Sequence, residues 1–166
     1  MIAEMAMEEQ AGGEHVLEEQ VREDANDVLN ASVSYAKRML RRYGQFAPFG
    51  YRMNNDGDVA FEAVAQHDMP PEPAMLLELL YQQLGERAKK GLLLAAGTAS
   101  NVTMGKPSPE GFPDAVMVEI EHRDGYCVQA FVPYRITGGQ LHGLFPRVVR
   151  FGKLRVQGGA PRLFGR

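Results

Sequence analysis

Two glutamates, Glu119 and Glu121, stand two residues apart in an alternating stretch. On a β-strand both side chains leave the same face, with Cα atoms roughly 6.5–7 Å apart. Carboxylates so placed could serve as acid and base if the face were enclosed and one pKa raised. The plainer reading is a solvated sheet face. Cys127 is the only cysteine; it becomes a nucleophile only beside a base or a cation, and otherwise reads as a small, half-buried strand residue. His122 follows Glu121, and neighbours on a strand point to opposite faces, which works against a shared metal ion. The four histidines, His15, His67, His122 and His142, have neither i, i+4 spacing nor an HExxH pattern. A lone cysteine excludes a multi-cysteine zinc site and an internal disulfide. No catalytic, cofactor-binding or metal-ligating residue is therefore assigned. Glu119, Glu121, Cys127, Gln129, His122 and Tyr126 are retained as a candidate surface or pocket.

These residues sit on two consecutive strands, 115–123 and 126–136, whose register follows from their patterning. A two-residue Asp124-Gly125 turn would set Glu121 beside Val128 and mix the faces. A three-residue loop, Arg123-Asp124-Gly125, pairs His122 with Tyr126, Ile120 with Val128, Val118 with Ala130 and Val116 with Val132, and needs Gly125 in the left-handed region. The opposite face then carries Glu119, Glu121, Cys127 and Gln129, with Met117 and Phe131 further along.

Around this hairpin the sequence predicts an α+β domain. A helix is expected from Asp24 or Asn26 to Tyr43, with Leu29, Val33, Ala36, Leu40 and Tyr43 along one face and Gly44 closing it. Phe46-Ala47-Pro48-Phe49-Gly50 forbids helix and delivers two phenylalanines to the core. A hairpin follows, closed by Asn54-Asn55-Asp56-Gly57. A second helix is expected over 72–90, with Met75, Leu76, Leu79, Leu80 and Leu84 apolar. Leu92–Met104 begins as a continuous apolar run, with Gly97 a bulge or bend. The order α-β-β-α-β-β-β implies an antiparallel sheet of about five strands with both helices on one face. Three parts are expected: an acidic, flexible arm (1–23), the α+β domain (24–137), and a basic, glycine-rich extension (138–166), partly ordered, with room for one or two short edge strands.

Charge is distributed unevenly over the 166 residues. Residues 1–27 hold nine acids against Arg22, a net −8; residues 123–166 hold eight bases against Asp124, a net +7; the whole chain is −3. The basic stretch, with Arg147, Arg150, Lys153, Arg155, Arg162 and Arg166 among Phe145, Phe151 and Phe164, could grip phosphates and stack bases. Yet the chain as a whole is acidic and lacks a recognised nucleic-acid motif, so an acidic arm or partner is the expected counterpart. Gly12-Gly13, Gly138-Gly139 and Gly158-Gly159 belong to no phosphate-binding pattern. An acidic N-terminus without an apolar stretch, no membrane-length run and a single thiol point to the cytoplasm.

The Phe46–Gly50 segment and its hairpin resemble small, uncharacterised bacterial α+β proteins, a resemblance that implies no activity. The element order over 25–137 resembles roadblock and profilin-like domains, although the C-terminal helix usual in roadblock domains is missing. That resemblance implies a homodimer or a partner-binding module. The same order resembles the NTF2-like cone, which implies a pocket between helices and sheet, lined here by Tyr126, Tyr134, His122 and Phe49. The inward strand positions Val116, Val118, Ile120, Val128 and Val132 read as packed core, which favours a self-associating binding or adaptor domain over a pocket protein or enzyme.

Overall fold

A computed structural model describes residues 2–64, 71–139 and 143–165, with side chains from His15 onward. His67, Met69-Pro70 and His142 lie outside them. The elements are α1 (Ile2–Tyr43), β1 (Phe49–Asn54), β2 (Val59–Glu62), α2 (Pro73–Lys89), β3 (Leu93–Thr103), β4 (Asp114–His122), β5 (Cys127–Thr137), β6 (Val148–Phe151) and β7 (Arg155–Gly158). The fold is α+β with one antiparallel sheet, in the order β2-β1-β3-β4-β5. β6 and β7 both pair with the outer edge of β5.

The β4–β5 register is the one patterning demands: Ile120 faces Val128, Val118 faces Ala130 and Val116 faces Val132. His122 N–H donates to Tyr126 O at 2.8 Å, and Gly125 takes φ 95°. In the first hairpin Asn54 Oδ1 accepts the N–H groups of Asp56 and Asp58, and Gly57 takes φ 86°. Each turn residue thus supplies what its turn needs.

Several expectations are corrected. Among the described residues the sheet has seven strands: to the five expected, the C-terminal extension adds β6 and β7, where the sequence left room for one or two short edge strands. These two strands are one edge broken at Gly152–Leu154, opposite Pro133. Gly152 N–H donates to Pro133 O at 2.7 Å, and backbone groups alternate sides along a strand. The missing N–H of Pro133 therefore lies at the break, where no ladder bond is lost. Glu110 clamps that break: its carboxylate accepts Lys153 N–H at 3.1 Å. Bonds from Ser108 and then Lys153 hold its pKa down, to about 2.

The helices lie on opposite faces of the sheet rather than on one. α1 packs Ala25, Leu29, Ala36 and Leu40 against Val116, Val118 and Ile120. α2 places Tyr81 and Leu84 on the other side, against Leu93 and Ala96. β3 is apolar or small on both faces, with Ala95 and Ala99 toward α1 and Ala96 and Thr98 toward α2. A strand covered on both sides reads as a continuous apolar run, which is why its sequence does not alternate. Gly97 is no bulge, for the β3–β4 register runs through it unbroken. A Cβ there would come within 3.1 Å of Val28 Cγ1, so its role is to admit α1. Finally, α1 starts at Ile2 rather than near Asp24. The added segment is rich in Glu, Gln, Ala and Met, strong helix formers that offset the cost of Gly12-Gly13, about 1 kcal/mol per glycine.

α2 is fastened at the β2 edge by Glu62, a buried carboxylate on the same face. It pairs with Arg52 at 2.5 Å and Arg87 at 3.2 Å and also accepts from Gln83. A buried charge needs this degree of pairing to be tolerated.

Candidate functional site

The two halves of the sequence-derived candidate set separate across the sheet. Glu119, Glu121, Cys127 and Gln129 share the α2 face; His122 and Tyr126 belong to the α1 face. The α2 face is not solvated, contrary to the plainer expectation. α2 covers part of it, and Ala160, Arg162 and Leu163 of the C-terminal chain lie over Glu119, Glu121 and Cys127.

Glu121 is buried. Its Oε2 accepts the N–H groups of Arg162 at 2.8 Å and Leu163 at 2.7 Å, and its Oε1 accepts Phe164 N–H at 2.9 Å. Successive N–H groups converging on one carboxylate form an anion-binding nest, here filled by a side chain of the same molecule. Leu163 inserts beside Tyr81, Leu84 and Leu93. The Arg162 guanidinium lies 3.8 Å from the Tyr81 ring centroid and reaches Glu78 at 3.5 Å.

Glu119 is held in a second chain of bonds. Tyr81 Oη and Gln129 Nε2 (2.7 Å) both donate to it, Thr98 Oγ1 donates to Tyr81 Oη at 2.9 Å, and Gln157 donates to Gln129 at 3.0 Å. Burial, followed by the bond to Glu119, pushes the Tyr81 phenol well above its usual 10.0, so it stays neutral and donates. Burial and then Glu121 and Glu119 also push the Cys127 thiol up. This is the opposite of what a nucleophilic cysteine requires. Acid/base work by the two glutamates would need an open position beside them; their oxygens are already occupied by Tyr81, Gln129 and the backbone of 162–164.

On the α1 face, His122 is buried against Asp24. Its Nδ1 accepts Asp124 N–H at 3.1 Å, which fixes the proton on Nε2, and Nε2 donates to Asp24 Oδ2 at 3.1 Å. Gln20 donates to the other Asp24 oxygen at 3.0 Å. The arrangement resembles the base–orienter half of a hydrolytic triad, but both imidazole nitrogens are spent and Cys127 lies across the sheet. Of the residues expected as pocket walls, Tyr134 is packed core, while Phe49, itself buried, backs a cleft at the α1–β2 edge rather than a cavity between helix and sheet. Among the described residues no three of His, Cys, Asp and Glu gather to hold a metal ion, and no helix is long and apolar enough to cross a membrane.

No protein-family model, curated protein or solved structure matches this chain.

The surface left open is elsewhere. Along 144–156 the large apolar side chains Leu144, Phe145, Val148, Leu154 and Val156 are exposed, with Val156 at 52%. Arg147, Arg150, Lys153 and Arg155 lie among them, and none forms a salt bridge among the described residues. Gly159 N–H points inward to Cys127 O at 3.1 Å. By alternation the backbone groups of Val156 and Gly158 face outward from the sheet edge. A separate aromatic cleft of about 660 Å³ lies between α1, β2 and the start of α2, lined by Tyr35, Met39, Phe46, Phe49, Phe61 and Leu76.

Sequence reasoning missed Tyr81, Thr98, Asp24 and the 162–164 backbone. Tyr81 follows Leu77 by four residues and precedes Leu84 by three, which places it on the buried face of α2. The Leu163-Phe164 pair in a polar tail was the available sign of docking.

Proposed function

We propose that this chain is a self-associating, cytoplasmic protein-binding module whose partner surface is the open β6–β7 edge. The observation that carries the reading is the coincidence, on one sheet edge, of exposed apolar side chains, cations with no salt bridge among the described residues, and outward-facing backbone groups. Exposed strand edges are ordinarily blunted by charge, proline or a break. Here the break and the cations are present, yet Val148, Leu154 and Val156 remain uncovered. An extended, acidic segment adding as a further strand would satisfy all three features at once. The polar network under α2 supports a non-catalytic role, since its groups are engaged with one another.

The test places a photo-crosslinking residue at Leu154 of the full chain, in cells. One discrete protein adduct is expected, lost when Val156→Pro removes an outward N–H while leaving the inner ladder to β5 intact. Equal adducts from a crosslinker at Asp56, or adducts that persist with Val156→Pro, would refute the edge reading. The aromatic cleft supports a second reading, an apolar small-molecule carrier. Native mass spectrometry of gently purified protein separates the two: retained small-molecule mass favours the cleft, and a ligand-free dimer favours the binding module.

A further inference from the structure

α1 carries opposite charge at its two ends. Residues 1–27 are net −8, and residues 28–43 hold Lys37, Arg38, Arg41 and Arg42 with no acid. The basic end is enlarged by a distant part of the chain. Lys37 and Arg41 stand 4.9 and 5.1 Å from the Phe151 ring centroid. Arg147 donates to Arg42 O at 3.1 Å. No carboxylate pairs with any of these cations among the described residues, and none of Glu19, Glu23 or Asp27 has a cationic partner there.

One continuous helix of 42 residues joins the two ends. At 1.5 Å per residue, Glu19 and Arg41 lie about 33 Å apart along its axis. A continuous helix does not fold back, so the acidic end cannot reach the basic end of its own molecule. Complementary charge can meet only between molecules. The exposed strip Glu23, Asp27, Asn30, Ser34, Arg38, Arg41 recurs every three or four residues on one face. It runs from acid through small polar residues to base, which makes it self-complementary under a twofold axis near Asn30. Antiparallel pairing sets Glu19 against Arg41, Glu23 against Arg38 and Asp27 against Ser34.

From this geometry we infer that two copies of the chain pair through antiparallel α1 helices, the acidic end of each lying on the Lys37–Arg42/Arg147 patch of the other. The inference rests on the self-association reading above and names its contact. Such an interface has the isologous form most common in homodimers. Being built from exposed ion pairs, it weakens with salt.

Sedimentation velocity on the full chain tests it. A dimer is expected, with its dissociation constant rising at least roughly tenfold between about 50 mM and about 500 mM salt. Glu19→Lys/Glu23→Lys and Arg38→Glu/Arg41→Glu are each expected to be monomeric alone and to restore a dimer when mixed one to one. A mixture that stays monomeric while both variants keep their helical circular dichroism overturns the inference. So does a wild-type dimer unchanged in either variant, which leaves self-association standing through another surface. A wild-type monomer under all conditions overturns both. If the Arg38→Glu/Arg41→Glu variant loses its helical signal, Arg38→Gln/Arg41→Gln replaces it and must weaken the dimer at least threefold. Binding of a labelled single- or double-stranded oligonucleotide by a monomeric wild type, lost in Arg38→Gln/Arg41→Gln, would reassign the patch to nucleic acid.

Discussion

On the α1 face, Val116, Val118 and Ile120 meet Leu29, Ala36 and Leu40, with the polar pairs Asp24–His122 at the hairpin end and Tyr134–Asn101 at the other. On the α2 face the intervening residues of β4 are Met117, Glu119 and Glu121, and what covers them is partly helix and partly the extended C-terminal chain. The apolar face gains from area alone, and many similar side chains could supply it. The polar face gains only when named donors reach named acceptors, and it specifies one path for residues 159–165. The comparison separates stability that is general from order that is local.

The largest effect breaks the apolar side. Ile120→Ala should cost about 2–5 kcal/mol in urea or guanidinium unfolding, the range for emptying a fully buried branched side chain. Its C-terminal chain should stay as protease-resistant as in the wild type. Glu121→Gln should cost about 2–3 kcal/mol, because three N–H bonds lose their charged acceptor. Its distinguishing mark is local: trypsin should cut at Arg162 under conditions where the wild type is intact. If both variants released the tail equally, the two faces would form one cooperative unit and the distinction would fall.

The smallest effect sharpens the polar side. Tyr81→Phe should cost about 1–2 kcal/mol at neutral pH, since it removes two hydrogen bonds, the one Tyr81 donates to Glu119 and the one it accepts from Thr98. The Tyr81 pKa is raised in the folded state, so its stabilisation is complete below the unfolded value of 10.0 and is lost as pH rises above it. Wild-type melting temperature should therefore fall between pH 10 and pH 12 more steeply than that of Tyr81→Phe. Parallel curves would remove Tyr81 from the alkaline transition.

The β4–β5 hairpin was legible because alternation and one glycine left a single register that sorts the faces. The Asn54–Gly57 turn was legible because its side chains act locally. The side of the sheet chosen by α2 was not, since an apolar helix stripe says that a helix is buried but not against which face. The unbroken apolar run of β3 did hold that information, as the mark of a strand covered twice. The burial of Glu121 was beyond reach: its partners are backbone N–H groups, and backbone carries no signature in sequence. For the same reason the tail read as a basic extension, while its ordering depends on a carboxylate far earlier in the chain.

That distance in sequence has a consequence in time. Phe164 follows Glu121 by 43 residues, and at about 5–20 residues per second its synthesis trails that of Glu121 by roughly 2–9 s. The β4–β5 hairpin closes in microseconds once its strands are clear of the ribosome. Until residues 162–164 arrive, the Glu121 carboxylate lacks its three backbone donors, and Leu84 and Leu93 lack the cover of Leu163. During that interval the α2 groove is open to any chain that can offer it consecutive N–H groups followed by an apolar side chain.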